Sequence, residues 1–174
     1  MAQANSSTSF VIRAKGLGRK FGAREALKNL DLDIPQGICF GILGNNGCGK
    51  STFLKMVVSL LQPSSGQLEV LGHDVSKSQH AIEVRNSIGL VLDSPPIPEN
   101  LTLINALKYW ADLRCLSIEE SELEAWAERM KLSWRLEDPI RTFSRGMLQR
   151  VNLICALMAS PELLILDEPF TGLD

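Results

Sequence analysis

One run of the chain could do phosphate chemistry: Gly44-Asn45-Asn46-Gly47-Cys48-Gly49-Lys50-Ser51, followed by Thr52. It fits G-x-x-x-x-G-K-[ST], with an extra glycine at 47. Glycines let the backbone curl so that successive N–H groups converge on phosphate oxygens, at the positive end of the helix that follows. Lys50 then places a point charge on the outer phosphates, and the Ser51 hydroxyl is a ligand for Mg²⁺. A second run, Leu163-Leu-Ile-Leu166-Asp167-Glu168, supplies carboxylates at the end of an apolar strand. Asp167 would enter the Mg²⁺ shell and Glu168 would polarise an attacking water. Together the two runs describe a nucleoside triphosphate site.

The elements that must position these residues follow from periodicity. Phe10 to Phe21 reads as a first structured stretch. Leu30-Asp-Leu-Asp-Ile34 alternates strictly and reads as a half-buried antiparallel strand ended by Pro35-Gln36-Gly37. Ile38 to Leu43 is almost wholly apolar, as for a strand covered on both faces. After the glycine loop, Leu54, Val57, Val58 and Leu61 stripe a helix that Pro63-Ser-Ser-Gly66 stops. Leu68–Leu71 and Ile88–Leu92 are further short strands. Beyond the Pro-rich hinge Ser94–Pro98 the texture turns helical to Arg141, with stripes Leu103, Leu107, Trp110, Leu113 and Leu123, Trp126, Ala127, Met130. Ser117-Ile-Glu-Glu120 reads as a capping box for the second of these. A last helix from Ser144 carries Leu148, Val151, Cys155 and Met158 and leads into the strand at Leu163. Alternating strands and helices make the fold α/β, with a helical insertion.

Composition narrows the classes. At 174 residues, 45% hydrophobic and 22% charged, the chain has the make-up of one globular domain rather than a disordered or fibrous one. No apolar stretch has membrane-helix length, and the polar start lacks a secretory signal, so a cytoplasmic location is expected. A net charge of −2 gives no general affinity for nucleic acid. Four scattered cysteines, with no CxxC pair, read as reduced thiols. Trp110 and Trp126 read as helix packing, and Glu119, Glu120, Glu122 and Glu124 as a solvated face. Alkylation of Cys48, inside the phosphate loop, is expected to block nucleotide binding.

Between the two phosphate runs lies Phe143-Ser144-Arg145-Gly146-Met147-Leu-Gln149-Arg150. On residues alone, Ser144 caps a helix whose positive N-terminal end would suit anionic phosphate, or is an N-cap only. In combination, the motifs resemble the ATP-binding subunit of ABC (ATP-binding cassette) transporters, over about Phe10 to Asp174. Ser144, Gly146, Gln149 and Arg150 match that family's signature, while Arg145 and Met147 depart from it in a manner familiar from exporter-type members. Pro169 to Asp174 looks like the family's D-loop, and Phe21 like the aromatic that stacks on adenine.

The resemblance implies a P-loop NTPase core with a mainly parallel sheet, an N-terminal antiparallel β-subdomain and an inserted helical subdomain over about 94–143. It makes residues 1–9 a disordered tail and 10–174 a single ATPase domain. It implies ATP and Mg²⁺ as cofactors, with Ser144, Arg145, Gly146 and Met147 closing over ATP held by a second ATP-binding subunit. A separate integral membrane subunit would place the protein on the inner face of the membrane. Asp93 stands where the family has a glutamine touching Mg²⁺. The family continues to a switch histidine, whereas His73 and His80 both precede the signature, so the chain reads as truncated after the D-loop, leaving the strand at Leu163 with an unpaired edge. The rival readings are a soluble ABC ATPase acting on ribosomes or DNA, and an inactive nucleotide-binding fragment.

Overall fold

The computed structural model describes residues 9–91 and 97–167. The chain divides between Arg85 and Asn86 into two compact units, each with its own core.

The first unit is built on an antiparallel sheet of β1 (Phe10–Phe21), β2 (Arg24–Pro35), β3 (Ser65–Val70) and β4 (His73–Asp74), in the order β2-β1-β3-β4. Gly22, at φ +58°, makes the two-residue turn that returns β1 as β2. The alternation at Leu30–Ile34 holds: Ile34 is buried, Leu30 and Leu32 are half-buried, and Asp31 and Asp33 are exposed. Ile12, Ala14 and Leu17 of β1 and Leu68 and Val70 of β3 are buried with it.

The apolar run 38–43 forms no strand, contrary to the expectation from its composition. Ile38, Phe40, Ile42 and Leu43 are all exposed, Leu43 at 96%. A strand exists only through a hydrogen-bonded neighbour, and among the described residues none pairs with this segment. Helix α1 (Lys50–Val57) is also shorter than expected. Ser59 turns left-handed at φ +55°. Its N–H donates to Met56 O and that of Leu60 to Lys55 O, the paired bonds of a Schellman stop. The buried face is consequently Phe53, Met56 and Val57, with Leu54 only half-buried. Helix α2 (His80–Asn86) follows β4.

The second unit contains the parallel pair β5 (Ile88–Val91) and β6 (Leu163–Leu166), and helices α3 (Leu103–Leu113), α4 (Glu120–Arg129) and α5 (Arg145–Leu157). Leu103 and Leu107 of α3, Leu123 and Ala127 of α4 and Val151 and Ile154 of α5 share one buried cluster, with Trp110 and Trp126 packed against it. Leu113 is exposed rather than part of the α3 stripe. Helix α4 starts at Glu120 with Glu119 as N-cap, so Ser117 caps nothing. Ile118 and Leu123 both pack on the cluster, at the N′ and N4 positions of a hydrophobic staple, and the N-cap Glu119 between them is extended. The apolar run Leu163–Leu166 reads as a buried strand, yet in β6 Leu164 and Leu166 are exposed and only Ile165 is buried. Among the described residues β6 has one neighbour, β5.

Candidate functional site

The phosphate-loop residues and Phe21 belong to the first unit. Gly49 enters α1 in the left-handed region, at φ +100°, and a Cβ there would lie 2.6 Å from the Ala26 carbonyl of β2. Only glycine lets the loop run this close to the sheet. Gly47, at φ +84°, makes a second left-handed step, and Cys48 N–H closes the tip of the loop on Asn45 O at 3.2 Å.

Lys50, the first helical residue, folds its ammonium back over the loop. Nζ donates to Gly44 O at 2.6 Å and Asn45 O at 3.2 Å, with Cys48 Sγ 3.8 Å away. The positive charge is thus held against the loop backbone. Gly49 offers α1 no side-chain cap, and the first turn contains no acidic residue. Ser51 and Thr52 sit in that same turn. The N-terminal amides and their partial positive charge therefore have no side-chain anion competing for them, which fits a phosphate group. Phe21, at the end of β1, is about half exposed, with the Arg19 guanidinium 4.7 Å from its ring centroid.

In the second unit, Asp167 follows the last residue of β6 and its N–H donates to Val91 O at 3.0 Å, which holds it at the C-terminal end of the parallel pair. Its carboxylate is a hard oxygen donor of the kind Mg²⁺ takes. Glu168, Asp93 and the segment Pro169–Asp174 lie outside the described residues.

Ser144 caps α5, its Oγ accepting from Met147 N at 3.3 Å. Arg145 follows at the exposed start of the helix, Gly146 is half-buried, and Met147 is buried in the helical cluster. Arg150 donates from Nε to Gly146 O at 3.4 Å and from Nη1 to Met130 O at 3.0 Å, pinning the signature turn to the end of α4. Sequence reading matched Arg150 to a pattern but gave it no such positioning role, because Met130 is distant in the chain. Gln149 is buried beside it. No helix among the described residues is long and apolar enough to cross a membrane.

The loop, the capped helix and the parallel strand ending in aspartate each keep the form their sequence motif requires, and relatives specify the family. Residues 27–171 match the family model described as ABC transporter, and the chain belongs to that family. It is 34% identical to an uncharacterized ABC transporter ATP-binding protein, YcbN, of Bacillus subtilis, over 95% of this chain and 53% of the relative. It is 36% identical to the daunorubicin resistance ATP-binding protein DrrA3 of Streptomyces coeruleorubidus, over 94% and 52%. With the bacitracin transport ATP-binding protein BcrA of Bacillus licheniformis it shares 33%, over 95% and 53%. The chain thus spans about half the length of these curated relatives. Among solved structures, cbiO1 of Clostridium perfringens, part of the transporter complex cbiONQ, superposes with a TM-score of 0.82 at 26% identity, over 95% of this chain and 68% of that one.

Proposed function

We propose that this chain binds and hydrolyses ATP as the ATP-binding subunit of an ABC transporter, and that the transporter is an exporter. The observation that carries this reading is the junction at Gly49–Lys50, where a left-handed glycine opens an uncapped helix and a lysine is folded over the loop. The direction is supported by relatives whose names speak of daunorubicin resistance and bacitracin transport.

In this reading, the amides of 44–49 and the Lys50 ammonium hold the phosphates, with Thr52 beside them, and Phe21 stacks on adenine. Ser51 and Asp167, with Asp93, would hold Mg²⁺, which when bound neutralises phosphate charge. Glu168 accepts a proton from the water attacking the terminal phosphorus, and the bond to the ADP oxygen breaks, giving ADP and phosphate. Ser144, Arg145, Gly146 and Met147 cover ATP held by a second ATP-binding subunit, with the α5 N-terminus facing its phosphates. An integral membrane subunit completes the assembly at the inner face of the membrane, and nucleic acid is no partner. Residues 1–9 form a tail to one ATPase domain over 10–174, with 94–143 as its helical subdomain.

Measuring ATP binding and turnover in Lys50→Ala and Glu168→Gln tests this. Lys50→Ala should weaken binding and lower turnover about 100-fold. Glu168→Gln should keep binding and lose about 100-fold or more in turnover. Unchanged turnover in Glu168→Gln would remove that residue from the mechanism. Copurification with an integral membrane protein tests the assembly.

A further inference from the structure

We propose that His73, His80 and Glu83 bind a zinc-class divalent metal ion, using residues that the nucleotide chemistry leaves aside. Leu71 and Gly72 are both left-handed, at φ +52° and +78°, so a tight turn starts β4 with His73 opposite Val70. From there a compact loop leads into α2. The Asp74 carboxylate accepts from Ser76 N at 3.0 Å and Ser76 Oγ at 2.7 Å, and His80 N–H donates to Lys77 O at 3.0 Å. His80 and Glu83 are three apart on α2 and share a face. Val75, after β4, and Val84, in α2, are fully buried and pin both segments.

The result is a three-ligand cluster in which one ring nitrogen each of His73 and His80 and one oxygen of Glu83 lie within 4.8 Å of one another. His73 Nδ1 and Glu83 Oε2 are 3.2 Å apart. Two ligands on a tetrahedral zinc, with bonds of about 2.0–2.1 Å, stand about 3.3 Å apart. The tautomer is set from outside the cluster. His80 Nδ1 lies 3.2 Å from the Asp74 carbonyl and donates to it, which leaves the Nε2 lone pair free to ligate. A backbone carbonyl on the non-ligating nitrogen is the usual support of a metal-bound histidine. Gln79 Nε2, 3.3 Å from His80 Nε2, comes from an exposed residue that can swing aside. Two imidazoles and one carboxylate favour zinc, copper or nickel over Mg²⁺ or Ca²⁺, and leave a fourth position for water. A surface ion pair between His73 and Glu83 would account for their contact, but does not call for a second imidazole nitrogen within 4.8 Å of both. Bound metal would staple β4 to α2.

The chain contains two histidines, and both are in this cluster. Histidine-selective NMR of the untagged chain therefore reads this site alone. Zinc should shift both imidazoles with 1:1 stoichiometry and raise the melting temperature, while excess Mg²⁺ should move neither ring. A cobalt spectrum should lack the charge-transfer band of thiolate ligation, which excludes the exposed cysteines as ligands. Glu83→Gln, at a largely exposed side chain, should weaken zinc binding about tenfold or more with the fold intact, and His80→Ala should lose it. Imidazole resonances unmoved by zinc, or variants that bind zinc as tightly as the parent, would overturn the proposal.

Discussion

At the residue scale, Gly66 is, among the described glycines, the one least able to carry a side chain. It is left-handed at φ +76°, and a Cβ on it would meet the Gly16 carbonyl at 2.2 Å, where β1 and β3 approach. Gly37 is also left-handed, at φ +80°, but nothing lies within 4 Å of its Cβ position. The pair separates conformational strain from collision. Gly37→Ala should cost about 1 kcal/mol and Gly66→Ala about 2 kcal/mol or more, read from urea midpoints. Equal costs would mean that the β1–β3 approach relaxes freely. The cysteines divide in the same local way. Cys39, Cys48 and Cys115 are exposed, while burial pushes the Cys155 thiol up to about 12. A thiol reagent should titrate three groups quickly in the native protein and the fourth only on unfolding. Cys48 Sγ crowds the place where Gly44 would carry a Cβ, at 2.7 Å, so its adduct should fill the loop and abolish ATP binding. Full binding after complete modification of Cys48 would refute this.

At the element scale, the cap of α5 carries a structural role and a proposed functional one, and substitution can separate them. Ser144→Ala removes the acceptor for Met147 N–H and should cost about 1 kcal/mol of stability. Ser144→Asp caps equally well but adds a negative charge at the helix end proposed to face phosphate. Its stability should match the parent, while ATP-dependent pairing of subunits should be lost. Pairing that survives in Ser144→Asp would leave Ser144 an N-cap only. The helices were legible for a physical reason: the stripes of α3, α4 and α5 answer to one shared cluster, so spacing alone identifies most of the buried face. Errors arose where local rules compete. Ser117 has the right spacing for a capping box, yet Ile118 packs against the cluster half-buried and the helix starts at Glu120. In α1, the stripe through Leu61 failed because Ser59 turned left-handed, a choice no apolar period records.

At the scale of the whole molecule, the glycine loop at 44–51 was legible as a motif because its residues are contiguous, although the close approach of Gly49 to Ala26 of β2 was not. The run 38–43 was not, since a strand buried on both faces is defined by neighbours that a single segment cannot announce. Its consequence is physical. Phe40, Ile42 and Leu43 in the first unit, and Leu164 and Leu166 in the second, present side chains to solvent that their composition suits for burial. Exposed apolar surface of this kind drives association. The chain should therefore show a sedimentation coefficient that rises with protein concentration, without any need for nucleotide. Phe40→Glu combined with Leu43→Glu should lower that dependence and also weaken binding of an apolar dye, since both sites are exposed and neither is part of a core. A chain that sediments as a monomer at all concentrations, with the double variant indistinguishable from it, would show that these side chains are covered in solution. The segment before the phosphate loop would then be held by pairing and burial after all, as its composition alone suggests.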